Sequence, residues 1–447
     1  MKYTLPKFIP QKVNPLLEAY YEKTRGKMKP GAHRLHLLLK NYLKDDILQI
    51  PSVLVGGSNG KGTTCAFIES ILRSHGIKTG LYTSPHLIHP NERIRINGVP
   101  LSQNTFEKNL LIIITEAQNT LPDASLFEIL TAAALFTFKE EKIDFLICEV
   151  GLGGLLDSTN CIAPLVSILT SVSLEHTDIL GDTEEQIAMD KAFISRRNKP
   201  IILGDLSESA LSGALKTIQL TGAVPKFFKT MLCEKFSRVF SQIKLNNNSD
   251  FSFANLNISN LNTALLATQE IEVEMQNQFN TNLNLDIEKT LTGIKKTQWP
   301  GRFDIRQIGN RTIIFDASHN PDGFEFFLRE YKSSNFSNKR CTLVFASLND
   351  KDWKKTLRKI PEIAHTIYVT EMDSPRAELS KNILEYFNKL KIENQSQHFD
   401  IFCYDKYEIA LEAAMNQNIN DPIVITGSIA FIGLVMERLG LSFLSGN

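Results

Sequence analysis

Short continuous runs of apolar residues alternate with helical stretches along most of the chain. Such runs, without a regular polar alternation, are typical of strands buried on both faces, as in a parallel sheet. The first set of runs comprises residues 52–55, 145–148, 165–169 and 200–203. A second set comprises residues 312–315, 342–345, 367–369 and 423–425. The pattern predicts an α/β chain.

The two sets of runs flank Trp299-Pro300-Gly301, whose Pro-Gly step is typical of a turn. We therefore predict two domains, residues 1–298 and 299–447. A weakly ordered loop is predicted within the Asn- and Ser-rich segment 241–285. Helices are predicted at residues 63–74, 261–271, 382–390 and 408–415.

Charge and cysteine content exclude several classes of protein. The chain has 447 residues, with 49 Lys and Arg against 49 Asp and Glu. A formal net charge of zero argues against a nucleic-acid partner, because such proteins usually carry a basic surplus. The six cysteines form no CxxC pair and no zinc spacing. With no signal-peptide pattern and no run of ~18 apolar residues, we expect a cytoplasmic protein without a membrane partner.

A glycine-rich turn, residues 56–64, connects the first predicted strand to the first predicted helix. Glycines allow backbone N–H groups to approach an anion, and the helix N-terminus favours negative charge. Lys61 adds a positive charge, and hydroxyls follow at Thr63 and Thr64. A general P-loop would have glycine at position 55 and a hydroxyl at position 62, where this chain has Val55 and Gly62. The strand–turn–helix context therefore carries the prediction of a phosphate site.

The turn, Gly57-Ser58-Asn59-Gly60-Lys61-Gly62-Thr63, resembles the ATP loop of the Mur ligase superfamily, G-T-N-G-K-G-[ST]. Further motifs resemble the folylpolyglutamate synthase branch, which includes bifunctional dihydrofolate synthases, and they occur in that family's order. They lie at residues 82–87, 92–94, 127–128, 149–154, 156–160, 175–177, 180–181, 191–192, 300–303, 316–321, 351–352 and 426–428. The resemblance implies a P-loop Mur-ligase-type ATPase domain followed by a smaller Rossmann-like α/β domain.

The resemblance also implies the reaction. Such ligases add L-glutamate to dihydropteroate, to folates or to both, through an acyl phosphate made from ATP. Two like unit charges 4 Å apart repel by ~4 kcal/mol at an effective dielectric constant of ~20, so these anions need cations nearby. We expect two Mg²⁺ ions, small-molecule partners only, and a monomer.

Roles for individual residues follow from the resemblance. It implies Mg²⁺ ligands at Ser84, Glu149, His176 and a carbamylated Lys191. It implies catalytic groups at Lys61, Lys191, His176 and His319. It implies ATP contacts from Ser58, Asn59, Gly60, Lys61, Gly62, Thr63, Thr64, Asn260, Arg302 and Asp316.

The acceptor contacts are expected from Ser125, Leu126, Phe127, Glu128, Leu156, Asp157 and Ser158. We expect Arg376 and Ser428 to bind glutamate, because an α-carboxylate is suited to an arginine. Leu155 occupies a position where the family usually has Arg, and Glu175 replaces the usual Asp. The change at Leu155 concerns acceptor and chain-length preference rather than ATP chemistry.

Three other interpretations remain open. The chain could be a UDP-N-acetylmuramoyl-peptide ligase of the same superfamily, although residues 83–86 and 92–93 favour the folate branch. It could be a non-catalytic nucleotide-binding protein, either a switch or a scaffold. Lys191 itself could be a helix-surface lysine paired with Asp190 or Glu185.

Overall fold

The chain divides into two compact units in the computed structural model. One unit is Gln11–Gln298, and the other combines Met1–Pro10 with Trp299–Asn447. The structure describes residues 3, 5, 20, 31–40, 50–227, 232–245, 257–280, 283–393, 398–418 and 420–444. Within these residues no helix has both the length and the apolar composition needed to cross a membrane.

The first unit contains an eight-stranded sheet in the order β4-β3-β2-β5-β1-β6-β7-β8. Strands β5, β1, β6, β7 and β8 run parallel to β2, while β3 and β4 form an antiparallel extension at one edge. The strands are β1 (Ser52–Gly56), β2 (Thr79–Tyr82), β3 (Ile94–Ile96), β4 (Val99–Pro100), β5 (Phe145–Glu149), β6 (Val166–Leu169), β7 (Pro200–Leu203) and β8 (Val224–Phe227).

Helices cover both faces of this sheet, which explains why β1, β5, β6 and β7 are buried along their whole length. The first five are α1 (His33–Leu39), α2 (Lys61–Ser74), α3 (Gln103–Thr120), α4 (Leu126–Glu140) and α5 (Thr177–Leu180). The next five are α6 (Glu184–Ala192), α7 (Glu208–Thr221), α8 (Glu234–Leu245), α9 (Ile258–Phe279) and α10 (Ile287–Lys296).

The second unit contains a six-stranded sheet in the order β13-β12-β11-β14-β10-β9. All neighbouring strands are parallel except β9, which pairs antiparallel with β10. The strands are β9 (Asp304–Ile308), β10 (Arg311–Asp316), β11 (Cys341–Phe345), β12 (Ala364–Thr370), β13 (Asp400–Tyr404) and β14 (Ile423–Thr426). The helices are α11 (Pro321–Ser333), α12 (Trp353–Leu357), α13 (Ser380–Glu393), α14 (Tyr407–Met415) and α15 (Ile429–Arg438).

The amino terminus contributes to this second unit. The backbone N–H of Tyr3 donates to Asn416 Oδ1 at 2.7 Å, and that of Leu5 donates to Glu412 Oε1 at 3.1 Å. Glu412 lies on α14 and Asn416 follows it, so these bonds fasten the described terminal residues to that helix.

The predicted α/β class is confirmed, and every predicted strand and helix is present. Most lie within three residues of their predicted bounds, but α9 extends to Phe279, beyond the predicted end at residue 271. Apolar runs did not indicate β4, β8, β9 and β13, which are only partly buried. They also did not indicate β2 and β3, which are largely buried but contain Thr79, Gly80 and Arg95 among their apolar residues. Of the predicted loop within 241–285, residues 246–256 and 281–282 lie outside the described residues, while α9 spans much of the remainder.

Candidate active site

The glycine-rich turn leaves the carboxyl end of β1 and enters α2 directly. Its two sharp bends are at Gly57, with a φ of 135°, and Gly60, with a φ of 84°, both of which suit glycine. The Nζ atom of Lys61 folds back over the turn and donates to the carbonyl oxygens of Gly57 at 2.8 Å and Ser58 at 3.0 Å. The lysine charge and the N-terminus of α2 therefore lie together at one end of the sheet.

Asn260 lies against this turn although it is distant in sequence. A Cβ atom on Gly60 would lie only 2.4 Å from Asn260 Oδ1, so a side chain at position 60 would collide with the amide. The N-terminal part of α9 thereby packs on the turn. The site predicted to recognise adenine is thus adjacent to the site predicted to bind phosphate.

Lys191 lies at the last turn of α6 and points into the same region. It is 2% exposed, and its Nζ donates to the Gly57 carbonyl oxygen at 3.2 Å and to Glu175 Oε1 at 3.1 Å. Burial lowers the pKa of Lys191, and the nearby Lys61 adds to that, while Glu175 acts in the opposite direction. Lys191 is therefore a buried lysine whose ion-pair partner is Glu175, while Asp190 makes only a smaller charge interaction with it.

Glu175 connects this lysine to the turn. Burial by itself raises the pKa of the carboxyl, but Lys191, Lys61 and a hydrogen bond from the Ser58 hydroxyl lower it to about 2. Glu175 is thus an anion between two lysines. Glu185 instead pairs with the exposed Lys216 at 2.7 Å.

Glu149 ends β5, the strand next to β1, and is 4% exposed. Its Oε2 accepts a hydrogen bond from the backbone N–H of Ser84 at 3.0 Å, so the carboxylate is fixed close to the Ser84 hydroxyl. His176 precedes the short helix α5 in a left-handed conformation and is exposed. Within the described part of the chain, no three His, Cys, Asp or Glu side chains are grouped as a metal site.

The loop after Ser84 is held by a buried carboxylate. Glu92 accepts from the backbone N–H groups of Leu87 at 2.8 Å, Ile88 at 3.0 Å and His89 at 2.7 Å. Arg93 Nε donates to His86 Nδ1 at 3.0 Å, and burial together with Arg93 lowers the pKa of His86 to about 3. His86 is therefore neutral near pH 7, with Nδ1 as an acceptor.

The α4 residues that were predicted to contact the pterin acceptor cap the N-terminus of this helix. The hydroxyl of Ser125 accepts from the Glu128 N–H, and the Glu128 carboxylate accepts from the Ser125 N–H at 2.7 Å, which is a capping box. Glu128 is fully buried, and its carboxylate also accepts a hydrogen bond from Nε of Arg34 on α1 at 2.6 Å. Leu126 and Phe127 follow in the first turn and are half-buried.

Phe127 packs against the turn that follows β5. A Cβ atom on Gly151 would lie 2.3 Å from the ring, so only glycine permits this approach. The Asp157 carboxylate accepts from the N–H groups of Leu152 at 2.8 Å and Thr159 at 2.9 Å and closes the turn. Leu156, two residues after Gly154, is 52% exposed, whereas Ser158 is buried.

In the second unit, Asp316 ends β10 and is buried. Its carboxylate accepts from the N–H of Phe303 at 2.9 Å and from the N–H of Ser318 at 3.0 Å. Burial raises the pKa of Asp316, while the positive charge of Arg302 opposes that shift. His319 Nδ1 is 2.9 Å from the Ala317 carbonyl oxygen, so that nitrogen donates. Arg302, Asp316 and His319 therefore cluster at one end of β10.

The two predicted glutamate contacts lie at the carboxyl edge of the same sheet. Arg376 occupies an exposed turn after β12 and pairs with Asp350 at 2.5 Å. Ser428 is 3% exposed and lies at the N-terminus of α15, just beyond the end of β14. Arg376 would therefore have to exchange an existing ion pair for a ligand carboxylate.

Sequence reasoning did not assign a contact to three charged residues of the first unit, of which Arg95 is buried and Glu175 and Asp190 are half-buried. In the sequence Glu175 is only a replacement within a family motif, and its contact with Lys191 depends on the fold. Arg95 is 4% exposed; burial lowers its pKa to about 10, although Glu92, Glu69 and Glu149 act in the opposite direction. Asp190 Oδ2 accepts from the Gly154 N–H at 2.8 Å and holds the turn before Leu155. A polar residue inside an apolar run, such as Arg95 between Ile94 and Ile96, is the signal that was available.

Comparisons with known proteins identify the family of the chain. Residues 55–210 match the family described as Mur ligase middle domain, and residues 301–429 match Mur ligase, glutamate ligase domain. The Bacillus subtilis (strain 168) dihydrofolate synthase/folylpolyglutamate synthase is 32% identical over 426 residues, which cover 92% of this chain and 95% of that protein.

Two solved structures show the same fold. Escherichia coli FolC in complex with DHPP and ADP has a TM-score of 0.77 and 27% identity, with 97% of this chain and 99% of that one covered. A bifunctional folylpolyglutamate synthase/dihydrofolate synthase with Mn, AMPPNP and L-glutamate bound has a TM-score of 0.77 and 26% identity, with 95% and 98% covered. The chain therefore belongs to the dihydrofolate synthase/folylpolyglutamate synthase family of Mur ligases.

Proposed function

We propose that this protein is an ATP-dependent amide ligase that adds L-glutamate to dihydropteroate and to folates. In this reaction a substrate carboxylate attacks the γ-phosphorus of ATP and forms an acyl phosphate, and ADP leaves. The amine of glutamate then attacks the acyl carbon, and phosphate leaves. The activities of its named relatives support both parts of the proposal.

One observation carries the proposal. Lys61 and Lys191 both donate to the Gly57 carbonyl oxygen, at 2.8 and 3.2 Å, so two lysines converge on a turn that opens a helix. A single phosphate-binding turn needs only one lysine. A second buried lysine fits a site where a nucleotide and a carboxylate substrate meet, because bringing two anions together requires added positive charge. Lys191 would supply that charge itself as an ammonium, or through a metal ion held on its carbamate.

The residues at the end of β5 fit a magnesium ion. Mg²⁺ prefers oxygen ligands, keeps several waters and usually takes one or two carboxylates plus substrate phosphates. Glu149 supplies a buried carboxylate and Ser84 a hydroxyl, held together by the Ser84 N–H bond. Bound there, Mg²⁺ would neutralise phosphate charge. His176 and a second ion remain proposals, since relatives show a divalent metal without assigning ligands in this chain.

The carbamate on Lys191 is also a proposal. As an ammonium, Lys191 donates to Glu175 and to Gly57. A carbamate, which forms when the neutral amine attacks CO₂ and loses a proton, would face the Glu175 carboxylate as a second anion and would require a cation between them. Mass spectrometry of the intact protein in bicarbonate tests this directly.

A Lys191→Ala variant supplies the second test of the carbamate. Short carboxylic acids should restore its activity, because a free carboxylate can replace the missing one. Wild-type activity in the variant, with no effect of added acid, would exclude the carbamate.

The remaining roles complete the proposal. Phe127 offers a ring that can stack on a flat pterin, beside the turn that carries Leu156, Asp157 and Ser158. In the second unit, Arg302 can fork onto phosphate oxygens, Asp316 and His319 lie close to it, and Arg376 and Ser428 would bind glutamate. A monomer in the cytoplasm remains our expectation.

The decisive experiment measures ADP release with Mg²⁺ and ATP, omitting glutamate and the acceptor in turn. Dihydropteroate, tetrahydrofolate and a UDP-N-acetylmuramoyl peptide should be compared as acceptors. We expect ADP release only with glutamate plus a pterin acceptor. Release that requires the muramoyl peptide would assign the other ligase class. Release independent of every acceptor, or no release, would contradict ligase function.

A further inference from the structure

Two hydroxyl residues that follow β6, Thr170 and Ser171, reach across to the phosphate turn. Neither residue is among the proposed contacts of ATP, Mg²⁺, the pterin acceptor or glutamate. The chain leaves β6 beside β1, because Gly56 pairs with Leu169 in the parallel register. The first residues after β6 therefore meet the first residues after β1.

Ser171 binds the peptide groups of the turn from both sides. Its hydroxyl accepts from the Asn59 N–H at 2.9 Å and lies 3.0 Å from the Asn59 carbonyl oxygen, to which it can donate. Its own carbonyl oxygen accepts from the Ser58 N–H at 2.8 Å. The N–H groups of Ser58 and Asn59 are thus committed to Ser171 and are not directed at a ligand.

Thr170 lies against the same part of the turn and is 7% exposed. Its Oγ1 is 2.7 Å from the Asn59 carbonyl oxygen and 3.1 Å from that of Gly56. A Cβ atom on Gly57 would lie 2.1 Å from this hydroxyl, so the contact is close. The two hydroxyls converge on one carbonyl, that of Asn59.

This arrangement determines which N–H groups remain for an anion. The first N–H groups of a helix have no acceptor within it, and α2 begins at Lys61, after the N-cap residue Gly60 that follows Asn59. Fixing that peptide fixes the direction of the N–H groups that follow. The bonds from the Ser58 and Asn59 N–H groups to Ser171 also fix the carbonyls of Gly57 and Ser58, which share those peptide groups and hold Lys61 Nζ.

We propose that Thr170 and Ser171 are positioning residues that fix the Asn59 peptide, so that the N-terminus of α2 and Lys61 are oriented towards the ATP phosphates. Neither residue touches the substrate in this assignment. The proposal rests on the proposed function of the turn as the ATP site. In this proposal the residues that follow β6 support catalysis by fixing the conformation of the turn that follows β1.

The test compares Thr170→Val, which keeps the side-chain shape, with Ser171→Ala. Each should raise the KM for ATP and the Kd for ADP about tenfold, the range expected when a buried hydrogen bond is lost and its partner is left unpaired. The KM values for glutamate and for the pterin acceptor should stay within twofold. Thr170→Ser restores a hydroxyl at the same position and should recover most of the affinity.

The matched control is Ser167→Ala, in the middle of β6. Its hydroxyl is buried and donates to the Ile194 carbonyl oxygen at 2.8 Å, away from the turn. This variant should lower the melting temperature without changing the KM for ATP. It separates loss of stability from loss of positioning.

The outcomes distinguish this proposal from the one on which it rests. If Lys61→Ala weakens ADP binding but Thr170→Val and Ser171→Ala bind as the wild type does, the positioning role is wrong and the ATP site stands. If Lys61→Ala also binds ADP unchanged, the turn is not the nucleotide site and both proposals fail. An equal rise in all three KM values would likewise overturn the positioning role.

Discussion

The Nζ atom of Lys191 lies 3.1 Å from Oε1 of Glu175, with the two side chains 2% and 19% exposed. Removing one partner of a buried ion pair leaves an uncompensated charge, which typically costs ~3–5 kcal/mol. We therefore expect Glu175→Gln to lower the free energy of unfolding substantially, and the loss should reach the lower part of that range because Glu175 is partly exposed.

A double-mutant cycle measured by urea unfolding checks this. Lys191→Met alone and the double variant Glu175→Gln/Lys191→Met complete the cycle. The double variant should be more stable than Glu175→Gln alone. Additive single effects would show that the two side chains do not interact.

Lys61 combines a charge with two hydrogen bonds to the turn. Lys61→Ala should reduce turnover roughly 10²–10³-fold, as does the loss of one group that stabilises transition-state charge. The rate of ADP release measures this turnover. Lys216→Ala, at an exposed lysine paired with Glu185, is the control and should retain wild-type turnover. Turnover near wild type in Lys61→Ala would refute the role.

Glu330 on α11 is 4% exposed, and its Oε1 atom has no hydrogen-bond partner among the described residues. Burial, with a smaller contribution from Asp316, raises its pKa to about 9. A carboxyl whose folded pKa is raised binds more protons in the folded than in the unfolded protein at pH values between the two pKa values. Its contribution to stability therefore falls as pH rises from about 5 to 9, by at most ~1.4 kcal/mol per pH unit.

Glu330→Gln should remove this dependence. Between pH 6 and 9 the urea midpoint of the variant should fall less than that of the wild type. Glu325→Gln is the control on the same helix, because the Glu325 side chain is 46% exposed and pairs with Lys359. Parallel pH profiles for the wild type and Glu330→Gln would contradict the prediction.

Leu155 is 44% exposed on the turn that Asp190 holds through the Gly154 N–H. Restoring the arginine usual at this position, by Leu155→Arg, adds a positive charge beside the proposed acceptor. We expect the KM for an acceptor with more glutamates, and hence more carboxylates, to fall severalfold, and the KM for ATP to stay within twofold. Leu155→Met controls for side-chain size. If the ratio of the KM values for mono- and polyglutamate acceptors is the same in Leu155→Arg as in the wild type, the prediction is contradicted.

Local sequence was sufficient for much of the fold. Short continuous apolar runs predict most of the buried parallel strands. The sequence of β1 followed by glycines, Lys61 and hydroxyls predicts a phosphate site. The signal fails where burial is one-sided or absent, as at β9 and β13, because a half-exposed strand has no continuous apolar run.

The sequence by itself determined the α/β class and the family, because periodicity and short motifs are local properties. Only the tertiary structure decided that Glu175 neutralises Lys191, that Asn260 packs on Gly60 and that Thr170 and Ser171 hold Asn59. Those contacts join residues that lie 16 to 200 positions apart. They exist because parallel strands bring the ends of β1, β5 and β6 to one edge of the sheet, where each loop meets its neighbour.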